Sequence, residues 1–412
     1  VAGPLKVALY SGIYVRHDAV SNSLHLKLEA LRRLQALGAP IELSVFTHGS
    51  DYDAPEIRVV PSVSRLLGSE EFWSADVHIF EFGMYYDLFD SMFVIPPDRP
   101  TLVIEHNTTP PELVDLPEVR AGCQQALVQR HNLRLAGRVA CVSEFNLAMA
   151  RSVGVDEDRL SVLHLPPAHE ARLAPRTFGG AEGEARPVRL LFVGRLVRAK
   201  GITDLLAVAE RLWSERPGQF TVDLVGSPTF SDPAVFAAVE GALADHGESG
   251  ALRLHASLSE TEMAALYEGS DLLVIPSYHE GYCVPVIEAL AAGCHVVGYD
   301  AGNLPNVVGG LGQLVPTGDV AALGDAVGRF LDRARDAGRR GAALSVPTAR
   351  GDLDEAAWLQ AVRAHLAAYT SAHYEETFLD LFTGLAQDSP KGLAPALEAA
   401  LRRRRLEIAA TR

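Results

Sequence analysis

The chain has 412 residues, 48% of them hydrophobic and 22% charged, enough apolar material for two cores but with no stretch approaching the ~18 uninterrupted apolar residues of a membrane span. Its formal net charge of -15 excludes a protein built to coat nucleic acid or an anionic membrane, so an anionic ligand needs a local cation site. Four cysteines without CxxC spacing and 14 histidines without HExxH predict buried reduced thiols and no metal centre.

The opening VAGPLKVALYSG runs straight into a strand pattern, without the order of an export signal, and the expectation is a cytoplasmic chain, with the inner face of the membrane as a further place of work. Short apolar runs then alternate with stretches of helical period, the pattern of a parallel sheet covered on both faces. The strand candidates of the first half are 5–10, 41–47, 76–82, 101–106, 138–143 and, more weakly, 160–165. Between the first two lies the helical SNSLHLKLEALRRLQALG (21–38), whose Lys27, Arg32 and Arg33 read as a charged solvent face, or as a peripheral membrane contact. Asp51 and Asp53 read as turn residues rather than a metal-holding pair.

The stretch 174–187 is rich in Gly, Pro and charge without an apolar period and reads as a linker, after a first domain of 1–173. The strand series restarts at 188–195, 220–226, 251–257, 271–277 and 294–300, giving a second domain of 188–365. After residue 319 the pattern reads as helical to the end, with residues 366–412 expected to cross back to the first domain. The expected fold class is α/β, two doubly wound units separated by a cleft, with ligands beyond the carboxyl ends of the strands. The Arg402 to Arg405 run reads as a solvated helix face or a frayed tail.

Two motifs follow strands of the second unit. In VGRLVRAKG (193–201), Arg195 and Lys200 lie between a strand end and a helix start, an arrangement that suits a diphosphate and reads equally as two solvated loop cations. GxGxxG is absent, which makes hydride transfer an unlikely chemistry here. In HEGYCVPVIEALAAG (279–293), Gly281 lets the backbone turn closely and Pro285 suits a helix start, so the N–H groups near Tyr282, Cys283 and Val284 favour an anion. Glu280 and Glu288 would repel that anion and suit hydroxyls on either side of it; taken alone they read as a loop acid and a first-turn acid.

The pairing of VGRLVRAKG with EGYCVPVIEALAAG about 85 residues later resembles the retaining glycosyltransferases of the GT-B fold, family 4, whose pattern is GRxxxxKG followed by EGxxxPxxEAxAxG. The resemblance implies two Rossmann-like domains facing across a cleft, with C-terminal helices. It implies a nucleoside-diphosphate sugar as co-substrate, no required cofactor or metal, and a glycan or lipid-linked glycan as acceptor. Arg195 and Lys200 would hold the diphosphate, Glu280 the sugar hydroxyls and Glu288 the ribose diol, with Gly281, Tyr282 and Cys283 completing the phosphate cradle. His106, ending the strand in TLVIEHNTTPPEL, stands where the family carries a histidine near the donor sugar, and HNTTPPEL with FEFGMYYDLFD (80–90) resembles the branch that builds bacterial cell-surface polysaccharides.

The chain departs from the pattern in places. The loop SGIYVRHDAVSN (11–22) offers only Gly12 where two adjacent glycines are common, and its Arg16, His17 and Asp18 read as acceptor contacts or as solvated loop residues. In AGNLPNVVGG (301–310), Asn306 replaces an acid. A nucleotide-sugar epimerase, a glycan phosphorylase and a non-catalytic sugar-nucleotide-binding protein remain as alternatives.

Overall fold

Strands whose every residue is apolar or paired must be covered on both faces, and this sequence supplies them in parallel sheets. The computed structural model describes residues 3–16, 18–167, 173–176 and 186–410. The chain divides into two units: Val1–Thr108, Arg120–Pro166 and Thr370–Arg412 form one, Thr109–Val119 and Pro167–Tyr369 the other.

The first unit holds β1 (Leu5–Tyr10), β2 (Ile41–Thr47), β3 (Ile57–Val59), β4 (Val77–Phe82), β5 (Thr101–Glu105), β6 (Arg138–Cys141) and β7 (Leu160–Val162). They pair in the order β3-β2-β1-β4-β5-β6-β7, parallel throughout. Every residue of β4 and β5 is buried. Tyr10 stacks between Phe46 and Phe80, with ring centroids 5.4 and 4.2 Å away. The first helix, Ala19–Ala36, starts two residues before the apolar pattern does, because Asp18 caps it by accepting from the Ser21 N–H at 2.8 Å. Helices Ser371–Asp388 and Pro395–Ala410 complete this unit. In the latter, Arg402 binds Glu398 at 2.6 Å, Arg404 binds Glu375 at 2.6 Å and Arg405 binds Asp380 at 2.8 Å, so three of the four arginines of the run are engaged rather than frayed.

The second unit holds β8 (Val188–Val193), β9 (Phe220–Val225), β10 (Leu252–His255), β11 (Leu272–Ile275), β12 (His295–Tyr299) and β13 (Gln313–Val315), in the parallel order β10-β9-β8-β11-β12-β13. The expectation of helix alone after residue 319 is corrected. An antiparallel hairpin, β14 (Ser345–Thr348) and β15 (Gly351–Asp354), separates helices Val320–Arg340 and Glu355–Leu366. Its arms are too short to show a period of two, and one carries Pro347. Where it is described, the stretch read as a linker is anchored. Arg186 grips Asp271 through two bonds of 2.6 Å, and the Arg176 side chain donates to the Gly293 carbonyl at 3.1 Å.

In each sheet the strand order reverses once, between β1 and β4 and between β8 and β11. Such reversals open a crevice beyond the strand ends, the usual ligand position in open α/β sheets. No helix among the described residues is long and apolar enough to cross a membrane.

Gly201 shapes the second crevice. It has φ +65°, and a Cβ there would lie 1.8 Å from the Pro276 carbonyl oxygen. Gly218 has nearly the same φ, +69°, with nothing within 4 Å. Gly218→Ala is expected to lower stability by about 1–2 kcal/mol, the left-handed strain alone. Gly201→Ala is expected to lose about 1–3 kcal/mol more from the collision. Urea unfolding of the two variants side by side checks this, and equal losses would refute the close approach.

Candidate functional site

In the second unit, β8 and β11 lie side by side and both end at the crevice. After β8 the chain passes Gly194 and Arg195, makes a single turn at Arg198–Lys200, and enters helix Ile202–Glu215 through Gly201. After β11 it runs through Ser277 and Glu280 to helix Val284–Ala291. The two loops are tied by the Tyr278 N–H donating to the Ala199 carbonyl at 2.9 Å.

This brings two predicted site residues together. Lys200 Nζ lies 2.7 Å from Glu280 Oε1, which also accepts from Ser277 Oγ at 2.8 Å. Glu280 is buried, so the reading of it as a mere loop acid is corrected. Its backbone is held as firmly: the Asn303 N–H donates to its carbonyl at 2.8 Å, and Gly302 packs so closely that a Cβ would lie 2.1 Å from that oxygen. Asn303 Nδ2 donates to the Tyr282 carbonyl at 3.2 Å and Asn303 Oδ1 accepts from Asn306 Nδ2 at 3.1 Å, so Asn306 braces the loop.

The remaining second-unit residues fall around this pair. Arg195 is exposed and its guanidinium makes no ion pair with the described residues. Arg198 is committed elsewhere, its Nε 3.2 Å from Asp115 Oδ1 and its N–H bonded to Asp232 at 2.7 Å. Gly281, Tyr282 and Cys283 are buried, and Cys283, with φ +74°, is the sole non-glycine residue of positive φ among those described. A strained backbone at a loop tip before a helix is a feature of sites rather than of cores. Burial, followed by the Glu280 carboxylate, pushes the Cys283 thiol well up, so it is no nucleophile. Glu288 is the fifth residue of its helix, so the reading as a first-turn acid is corrected. It lies against Tyr267, whose phenol is driven up by burial and by that carboxylate.

In the first unit, Gly12 lies two residues beyond β1, its carbonyl accepting from the His48 N–H at 3.0 Å. Arg16 sits beside Asp51: its N–H donates to the Asp51 carboxylate at 3.1 Å and its guanidinium lies 4.8 Å over the Tyr52 ring. Asp51 therefore secures a turn. Asp18 is the helix cap, and His17 lies outside the described residues. His106 directly follows β5, buried, with Nε2 2.7 Å from Glu81 Oε2. The other Glu81 oxygen lies 2.9 Å from Lys27 Nζ, both side chains being fully buried.

Lys27 was expected on an exposed basic face and is instead a core cation. It donates to the Ser23 carbonyl at 2.8 Å and the Ser23 hydroxyl at 2.6 Å, beneath the Tyr374 ring. Arg32 is taken by Glu29 and Glu56 and Arg33 by Glu375, so the helix presents no three-cation face to a membrane. Burial raises the Glu81 carboxyl, but Lys27 and His106 outweigh it and hold it below the usual carboxylate range. Burial lowers Lys27, opposed by Glu81. Among the described residues no group of three or more His, Cys, Asp or Glu is placed to hold a metal ion.

Comparison with known proteins fits this geometry. Sucrose-phosphate synthase from Thermosynechococcus elongatus superposes with a TM-score of 0.62 at 19% identity, over 92% of this chain and 98% of that one, a likeness of fold. The fold is GT-B, two Rossmann-like units each built on a parallel sheet. Residues 187–333 match the family Glycosyl transferases group 1. The chain is 34% identical over 169 residues to the MMP alpha-(1->4)-mannosyltransferase of Mycolicibacterium hassiacum, covering 40% of this chain and 39% of that one. It is 29% identical over 273 residues to the D-inositol 3-phosphate glycosyltransferase of Streptomyces scabiei, covering 63% and 59%. The matches thus span between 39% and 59% of these two relatives' own length.

The Lys27–Glu81 pair gives a direct test. Lys27→Met strands a buried carboxylate and is expected to destabilise by about 3–5 kcal/mol, with Lys27→Met/Glu81→Gln recovering most of the loss. Because Glu81 is depressed in the native chain, its contribution is present above the unfolded carboxylate value of about 4.3 and lost as pH falls through the native one. In Lys27→Met the desolvated Glu81 turns the other way, and its contribution is lost as pH rises. Urea midpoints from acid to neutral pH should show these opposite slopes; parallel profiles would refute the pairing.

Proposed function

We propose that the chain transfers a hexose from a UDP- or GDP-sugar to a hydroxyl of a glycan or glycolipid in polysaccharide biosynthesis, with retention at the anomeric carbon. The observation that carries this reading is the Lys200–Glu280 pair at the carboxyl ends of β8 and β11, beside an exposed Arg195 and the N-terminus of helix Val284–Ala291. Arg195 and Lys200 meet the diphosphate, the first N–H groups of the helix add donors, Glu280 accepts from the sugar hydroxyls and Glu288 from the ribose diol. His106, fixed by Glu81, serves the transferred sugar.

The carboxylates support a front-face route. A double displacement needs a carboxylate free to attack C1. Glu280 is engaged by Lys200 and Ser277, and Glu81 by Lys27 and His106. In the proposed step the bond from C1 to the phosphate oxygen breaks, the bond from C1 to the acceptor oxygen forms on the same face, and the acceptor proton passes to the leaving phosphate. Arg195 and Lys200 stabilise the charge that grows there.

Thermal-shift screening against UDP, GDP, ADP and their sugars should show one nucleotide raising Tm, a ligand at 100 times its Kd being worth about 2.7 kcal/mol. With that donor, Lys200→Ala and Glu280→Ala should each lower kcat by about 10² to 10³. The double variant should fall little further, since each removal disorders the same ion pair. Full activity in both single variants would refute the assignment, an inverted product by NMR would refute retention, and product formed without an acceptor would indicate an epimerase.

A further inference from the structure

Lys27 and Glu81 are sealed from water 2.9 Å apart, and a buried ion pair of this kind is often no more stabilising than an apolar pair of the same size. The pair therefore calls for a use beyond stability. Lys27 Nζ donates to the Ser23 carbonyl and hydroxyl as well as facing Glu81 Oε1, with the Tyr374 hydroxyl at 3.3 Å. Glu81 is fixed at its main chain too, the Tyr86 hydroxyl donating to its carbonyl at 2.7 Å. One of its carboxylate oxygens goes to Lys27 and the other to His106.

His106 is equally confined. Its backbone N–H donates to the Phe82 carbonyl at 2.6 Å, and Gly83 lies so close that a Cβ there would stand 3.0 Å from the His106 Cβ. Its side chain is 7% exposed, with Nε2 2.7 Å from Glu81 Oε2. Burial favours the neutral form of Glu81, but Lys27 and His106 outweigh it and keep the carboxylate ionised, and an ionised carboxylate only accepts. The ring nitrogen that faces it therefore carries the proton.

We propose that Lys27 and Glu81 are positioning residues that fix the tautomer of His106, holding the proton on Nε2 and keeping Nδ1 bare as an acceptor for a hydroxyl of the transferred sugar. The sugar contact rests on the transferase reading above, whereas the tautomer does not. Charge is what makes the lysine necessary. Without it the buried Glu81 takes up a proton, and a carboxylic acid can donate to Nε2 and send the ring proton to Nδ1. Lys27 closes that alternative, so the imidazole meets the sugar as an acceptor.

The test uses the full chain with isotopically labelled histidine at about pH 8.5, where a free imidazole is neutral, the His106 signals being assigned by their loss in His106→Gln. The ring nitrogen shifts of the native chain are expected to show a protonated Nε2 and a bare Nδ1. In Lys27→Met/Glu81→Gln, whose urea midpoint is expected to return close to the native one, the new amide donates as well as accepts, and the Nε2–H form should give way to a mixture of tautomers. With a donor that turns over, this variant should keep its thermal shift with the nucleotide and lose about ten- to a hundredfold in kcat. In a His106→Ala background the same pair of substitutions should cost less than about twofold further, since it acts through the ring that is gone. A merely structural pair would give the same loss in both backgrounds. A proton on Nδ1 in the native chain, an unchanged tautomer or full kcat in the double variant, or equal losses with and without His106 would overturn the proposal, and the native measurement decides whether or not the variants fold. Failure of every nucleotide to raise Tm would instead sink the transferase reading, while the tautomer is still decided by the NMR, which needs no donor.

Discussion

The second unit's site depends on one backbone contact, the approach of Gly201 to the Pro276 carbonyl. Only a residue without a Cβ, and free to take positive φ, lets the loop after β8 lie down on the loop after β11. The Tyr278 N–H then reaches the Ala199 carbonyl, and Lys200 is delivered onto Glu280. Gly302 repeats the device from the other side, pressing a third loop against the Glu280 backbone. Glu280 is therefore held at both its carboxylate and its main chain before any ligand arrives. A group so fixed loses little freedom on binding, and that is the condition for precise positioning.

Both units also meet a constraint set by their sheets. Parallel strands buried on both faces leave any acid on them in a poor dielectric, so each acid must find a cation. Asp223 has Arg253 and His255, Asp271 has Arg186, and Glu105 has Arg130 at 3.0 Å. Lys27–Glu81 differs in that neither partner touches water. Such a pair contributes little stability over an apolar replacement. Its use is better sought in what Glu81 does next, which is to hold the Nε2 side of His106. A buried lysine thus sets the charge of a carboxylate, and the carboxylate sets the orientation of an imidazole.

Much of the fold was legible in the sequence because apolar runs of five or six residues and amphipathic helices are long enough to show a period. β1 and β2 begin and end where their runs do, whereas β3, β13 and the β14–β15 hairpin have three or four residues each and show none. Of the site, Lys200 and Glu280 were legible from their motifs, but their mutual bond was not, since nothing in spacing says that two loops touch. Lys27 carried a signal that charge obscured: it stands between Leu24, Leu28 and Leu31 on the apolar stripe of its helix, where a solvent-facing residue does not belong. Glu81 carried the matching one, an acid inside the wholly buried run VHIFEF. Each position implied an unseen partner. Asp204, which accepts from Tyr278 at 2.8 Å and Tyr299 at 2.7 Å, gave no such hint, because a first-turn acid needs no further explanation.

The charge balance bears on how the proposed donor is gripped. A diphosphate approaches a chain of formal net charge -15, yet the Arg198 guanidinium is paired with Asp115, and Lys200 is bound to Glu280. Among the described residues Arg195 makes no ion pair with a carboxylate. Lys200 is not lost to the task, because an ammonium that gives one proton to Glu280 keeps others for a phosphate oxygen. It can bridge the two. On the proposed reading the phosphate grip and the sugar-hydroxyl grip would not be independent contacts but the two ends of one 2.7 Å bond, so that charge developing on the leaving phosphate would be felt at the carboxylate proposed to hold the sugar.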